Sequence, residues 1–91
     1  MPDPNVTVQG TPNPNAAKFT VDRALVEGGP SRSFFDRGSA QADPLARAIF
    51  DIDGVESVLI ADDFVTVTKS TSLEWDQLVP LIEKAIKEVL S

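Results

Sequence analysis

Asp51, Asp53, Asp62 and Asp63 come nearest to a reactive cluster in this sequence. Closely spaced carboxylates suit hard cations, and Asp51-x-Asp53-Gly54 echoes the opening of a calcium-binding loop. The echo stops there, because the further oxygen ligands and the Glu that close such a loop are missing. A functional carboxylate also needs a cleft and a partner to shift its pKa, so these acids are expected to be solvated. The sequence contains no Cys and no His. Zinc thiolate sites, Cys-ligated clusters, thiol catalysis and Ser–His triads are thereby removed as chemistry these residues perform alone. General acid–base catalysis has no grouped set of side chains to draw on. No catalytic, cofactor-binding or metal-ligating residue is assigned, no cofactor is expected, and the chain is expected not to be an enzyme.

Recognition has more to work with. Thr11-Pro12-Asn13-Pro14-Asn15 precedes Lys18-Phe19. Pro fixes φ and lacks a backbone N–H, while Asn closes local turns, so the block predicts a stiff polar loop ahead of an apolar strand. Such a loop serves either as a crossover whose residues only fix turns or as a feature that a partner binds. Leu59 and Phe64 pose a second question, because the pairing derived below puts them on the sheet face away from the helices. A two-layer fold leaves that face open unless something docks there, and weak self-association is one use for it. The candidate partner-binding residues are therefore Thr11, Pro12, Asn13, Pro14, Asn15, Lys18, Leu59 and Phe64.

The elements that must position these residues follow from periodicity. Val6-Thr7-Val8 alternates as a short strand, and Phe19 and Val21 share one face of a strand over 17–21. Gly28-Gly29-Pro30-Ser31 predicts a turn or loop, and residues 32–36 a third strand. Asp43 is a natural N-cap before Pro44, and Leu45, Ala48, Ile49 and Ile52 fall at helical spacing up to a stop at Gly54. Residues 55–61 and 64–69 flank Asp62-Asp63 as a hairpin. A two-residue turn pairs Ile60 with Val65 and Val58 with Val67, all on one face, and sends Leu59, Phe64, Thr66 and Thr68 to the other. Thr71-x-x-Glu74 predicts a capping box for a last helix. Its apolar stripe comprises Trp75, Leu78, Val79, Ile82, Ala85, Ile86 and Val89. Trp75 belongs to that core stripe, its indole N–H reaching a surface partner. Pro80 inside this helix removes one backbone hydrogen bond and predicts a kink or a first turn set apart.

The order β-β-β-α-β-β-α, with both helices on one face of a mostly antiparallel sheet, is a two-layer α+β sandwich. The 91 residues suit a single domain over 1–91, with residues 1–5 expected to be flexible. No apolar run is long enough for a membrane helix, and the start shows no secretory signal, so a cytoplasmic location is the expectation. The net charge of −6 comes from the second half, where residues 48–91 carry nine acids against three lysines. Nucleic-acid binding needs clustered Lys and Arg, so neither nucleic acid nor membrane is an expected partner.

Three segments in order give a family resemblance: the 11–15 block with Lys18-Phe19; Asp43-Pro44-Leu45-Ala46-Arg47 leading to Ile52-Asp53-Gly54-Val55; and 63–69 leading to Leu73-Glu74-Trp75. Together, over about residues 7–90, they resemble the N-terminal domain of the Nfu/NifU-like iron–sulfur cluster assembly proteins. In that family a second domain uses Cys-x-x-Cys to bind a 4Fe–4S cluster between two protomers. The present sequence is expected to lack that domain. The resemblance thus implies the accessory part of a cluster carrier, which contacts assembly proteins or client apoproteins or orients the cluster domain. The alternative from another class is a small ligand-binding or regulatory module that uses the open sheet face or the Pro/Asn loop.

Overall fold

Alternating apolar residues around Asp62-Asp63 build the centre of the molecule. The computed structural model describes residues 5–26 and 30–90. Its elements run β1 (Val6–Gly10), β2 (Ala16–Val21), β3 (Arg32–Phe34), α1 (Arg37–Ala40), α2 (Pro44–Phe50), β4 (Val55–Ala61), β5 (Phe64–Lys69) and α3 (Trp75–Leu90). The β4–β5 register pairs Ile60 with Val65 and Val58 with Val67, as the hydrophobic pattern requires. At the tip Asp62 has φ 39°, a left-handed conformation that Asp tolerates better than most residues. Its carbonyl accepts the Leu25 and Val26 N–H groups, so the tip also anchors the segment after β2.

All five strands pair antiparallel in the order β1-β2-β5-β4-β3. Phe19 sits opposite Val65, which extends the inward row from β4 across β5 to β2. Phe19, Val58, Ile60, Val65 and Val67 are buried beneath the helix layer, which contributes Ile49, Leu78, Ile82 and Ile86. Burying each such side chain is worth roughly 1.5–3 kcal/mol, which makes this layer the main source of cohesion. The fold is the expected two-layer α+β sandwich.

Several local expectations need correction. The third strand stops at Phe34, because Asp36 caps α1 by accepting from the Ser39 N–H at 2.7 Å. This short helix has no apolar periodicity to announce it, yet its Ala40 is fully buried. Asp43 caps α2 as expected, accepting from Leu45 and Ala46, but Ala46 and Phe50 are buried while Ala48 and Ile52 are only partly so. Gly54 does not stop that helix, which ends at Phe50 with Asp51 as C-cap. With φ 97° it turns the chain into β4 beneath Leu73, whose side chain occupies the space a Cβ would need.

The capping box of α3 forms one turn later than expected. Trp75 is the first helical residue, and Gln77 Oε1 accepts the Glu74 N–H at 3.3 Å, the reach-back half of such a box. Pro80 sits within a single helix rather than dividing it. It is exposed, and the Asp76 carbonyl it leaves without a helical donor lies in the first turn, within reach of water. The expected turn at Gly28-Gly29 and flexibility of residues 1–4 lie outside the described residues.

Candidate functional site

The 11–15 loop folds on its own side chains first. Thr11 Oγ1 lies 2.9 Å from the Asn13 carbonyl oxygen and 3.1 Å from that of Ala16, and it accepts from the Asn13 N–H. Asn13 Oδ1 accepts the Asn15 N–H at 2.9 Å, and the Asn13 carbonyl accepts the Ala16 N–H. These are the local turns that Thr and Asn favour.

The loop's far end is then fastened to the body. Asn15 takes the Lys69 backbone N–H on its carbonyl (2.8 Å) and the Lys69 ammonium on Oδ1 (3.3 Å). Pro14's carbonyl accepts the indole N–H of Trp75 at 3.0 Å. Lys69 is only 6% exposed; its ammonium also donates to the Ser70 carbonyl and lies 5.7 Å from the centre of the Trp75 ring. Trp75 packs against Phe19 with ring centroids 6.2 Å apart. The expectation that Trp75 joins the core with its N–H directed outward holds, and the partner is the loop itself. The phase that Lys69 shares with Val65 and Val67 points it inward, beneath the loop.

Between loop, strand and helix runs a groove of about 260 Å³, lined by Val8, Gly10, Thr11, Pro14, Trp75 and Val79 among others. Among the described residues its lining holds no carboxylate, ammonium or guanidinium. Val8 and Gly10 were not anticipated, because their place beside the helix depends on β1 lying at the sheet edge.

Lys18, Leu59 and Phe64 lie on the opposite face of the sheet. Lys18 Nζ sits 4.4 Å above the Phe64 ring centroid, and Leu59 and Lys18 both flank Thr66. All three are half-buried, and their neighbours Thr7, Thr20, Thr66, Thr68 and Ser57 are hydroxyl-bearing. The eight candidate residues therefore form two separate surfaces.

Among the described residues the acids form no third site. A broad depression of about 580 Å³ at the hairpin tip brings Asp62 and Asp63 near Asp22 and Arg23. Arg23 pairs with Asp22 at 3.3 Å. The Asp22 carboxyl is held below its ordinary value by the Asn5 backbone N–H and then by Arg23. Asp51 and Asp53 follow α2, where Asp53 meets Arg37 at 3.6 Å. Among the described residues no three acids converge on a point where a cation would sit.

The family model described as scaffold protein Nfu/NifU N terminal matches residues 6–91. The chain belongs to this family. NifU-like protein 5, mitochondrial, of Arabidopsis thaliana is 43% identical over 86 residues, which cover 94% of this chain and 31% of that protein. The human NFU1 iron-sulfur cluster scaffold homolog, mitochondrial, is 39% identical over 84 residues, covering 91% and 33%. The chain thus spans about a third of the length of the curated relatives it matches. The solution structure of a NifU-like protein from Saccharomyces cerevisiae superposes with a TM-score of 0.84 at 29% identity, over 97% of this chain and 79% of that one. A crystal structure from Staphylococcus aureus gives 0.76 at 26% identity, over 88% and 95%. The chain thus shares its fold with these structures over most of its length.

Proposed function

We propose that this chain is a non-catalytic adaptor domain of iron–sulfur cluster biogenesis, acting by contact with cluster-assembly proteins or client apoproteins. The observation that carries the proposal is the pairing of Nfu/NifU N-terminal membership with a donor set that contains no thiolate and no imidazole. Iron–sulfur clusters are held by Cys thiolates, with His replacing some in a few types, so these residues do not fit a cluster. No step through one is assigned to them. What the chain offers instead is shaped surface. The groove beside Trp75 has apolar walls and no reactive group, which suits binding rather than turnover. At about 260 Å³ it falls below the roughly 300–1,000 Å³ of drug-sized ligand sites, which favours a contact surface over a metabolite pocket.

The test is recovery of partners. The tagged 91-residue chain, expressed in its native host and isolated under mild conditions, should co-purify with at least one cluster-assembly factor or cluster-requiring protein. Recovery of none would overturn the proposal.

A further inference from the structure

We infer that the outer edge of β1 and the groove beside it accept an extended, Lys- or Arg-flanked segment of a partner protein as a sixth strand of the sheet. The inference deepens the adaptor reading and rests on it, since it names the kind of partner segment the surface takes.

Backbone polarity comes first. Along an antiparallel strand, successive residues turn their N–H and C=O groups to opposite sides. Val21 N–H donates to the Asp63 carbonyl and Lys69 N–H to the Asn15 carbonyl, so the odd-numbered residues of β2 face β5. Lys18 and Thr20 therefore face β1, where they pair with Gln9 and Thr7. The N–H and C=O groups of Val6, Val8 and Gly10 are left pointing away from the sheet. Exposed edges are usually blunted by charge, by Pro or by shortness, and Val6–Gly10 carries neither charge nor Pro. The other edge is managed in the usual way: β3 is three residues long and bears Arg32.

The side chains agree with the backbone. Val8 shares the helix side of the sheet with Phe19, yet it is 36% exposed. Trp75, Val79 and Pro14 line the same groove, and no atom of the described residues lies within 4 Å of a Cβ built on Gly10. An added strand would lay alternate side chains against these walls while its backbone bonded to Val6, Val8 and Gly10.

Charge selects the occupant. Asp76 and Glu83 lie three residues before and four after Val79, on the same side of α3. Neither has an ion pair among the described residues. The lysines of α3, Lys84 and Lys87, lie farther along the helix, and Lys84 is engaged with Glu88. A basic strand is drawn to this rim and to a chain of net charge −6. A second copy is disfavoured, because antiparallel β1–β1 pairing sets two acidic helix flanks toward one another across the seam.

The experiment probes an array of random decapeptides with the tagged full chain. Enriched peptides should alternate β-branched or aromatic residues and carry Lys or Arg at their ends. Val8→Pro should weaken their binding by about tenfold, because it removes an outward N–H while the β1–β2 bonds through Thr7 and Gln9 remain. Should that variant fail to fold, Asp76→Asn with Glu83→Gln, the first exposed and the second half-buried beside the groove, should weaken binding about threefold to tenfold and flatten its salt dependence. Absence of enrichment, enrichment of acidic peptides, insensitivity to both changes, or a β1-mediated homodimer by sedimentation would each overturn the inference. The two proposals fail separately: co-purification with assembly proteins without basic strand binding sinks only the docking mode, whereas Val8→Pro-sensitive peptide binding without such co-purification sinks only the assembly role.

Discussion

The Trp75 indole N–H donates to the Pro14 carbonyl at 3.0 Å, joining the first turn of α3 to a loop sixty-one residues earlier in the chain. Local chemistry alone would give the 11–15 loop a turn. Its position against the helix comes from this bond and from the Lys69 ammonium on Asn15. One wall of the candidate groove is thus held by two side chains from outside the loop.

Trp75→Phe keeps an aromatic ring beside Phe19 and deletes the donor. The expected loss is about 1 kcal/mol, or a melting temperature lower by about 4–8 °C for a domain of this size. Amide exchange at Asn15 and Ala16 should quicken, while the β4–β5 hairpin keeps its protection. Thermal unfolding by circular dichroism and exchange by NMR check both. An unchanged melting temperature with unchanged loop exchange would mean that the bond holds nothing.

Asp43 has two duties that substitution separates. Its Oδ1 caps α2 by accepting from Leu45 (3.0 Å) and Ala46 (3.1 Å), and its Oδ2 meets Arg32 Nη1 at 2.8 Å. Asp43→Ala should cost about 1–2 kcal/mol in urea unfolding, since a buried cap is lost. Asp43→Asn keeps a good capping group and should cost less than about 1 kcal/mol, because Arg32 is more than half exposed. Equal losses for the two would place the stability in the ion pair instead of the cap.

Gly54 stands at φ 97° with Leu73 where its Cβ would go. Gly54→Ala should therefore cost about 2–4 kcal/mol, combining backbone strain with overpacking. Adding Leu73→Ala should recover part of that loss, giving clear non-additivity in the double-mutant cycle. Additive losses would show that Leu73 moves aside freely.

Much of this fold is legible in the sequence, and the boundary of what is legible has physical causes. The β4–β5 register was readable because a two-residue turn and period-two burial have only one mutual solution, with Ile60 beside Val65. The α3 stripe was readable because Leu78, Ile82 and Ile86 repeat at helical spacing. The short α1 was not, since Arg37-Gly38-Ser39-Ala40 has no apolar period and its only buried residue is Ala40. The groove was half legible. The Pro/Asn loop and Trp75 stood out, but their junction and the role of Val8 depend on strand order, with β1 outermost beside β2. Strand order is set by long-range pairing, which no local pattern encodes. The capping box slipped by three residues because both Thr71 and Glu74 precede plausible partners, and Gln77 provides the bond that forms.

Asp22 supplies a pH signature. In the folded chain the Asn5 N–H and then Arg23 lower its carboxyl below the ordinary 3.8, so the folded state binds its proton less readily than the unfolded one. The stability it contributes is present above about pH 4 and is lost as pH falls through the folded value. A carboxyl-detected NMR titration should place the Asp22 midpoint below 3.8, and Asp22→Asn should make acid unfolding shallower on that limb. A midpoint at or above 3.8 would contradict this.

Contact at the groove is directly measurable, because the 91-residue sequence contains no Cys. Gly10→Cys places a thiol where a side chain meets no neighbour among the described residues, and Ser57→Cys places one on the opposite sheet face as a control. Each is coupled to a benzophenone and irradiated in native extract. The Gly10 position should capture a cluster-assembly factor or cluster-requiring protein that the Ser57 position does not. Capture of such a protein from Ser57 alone, or of none from Gly10, would contradict contact at the groove.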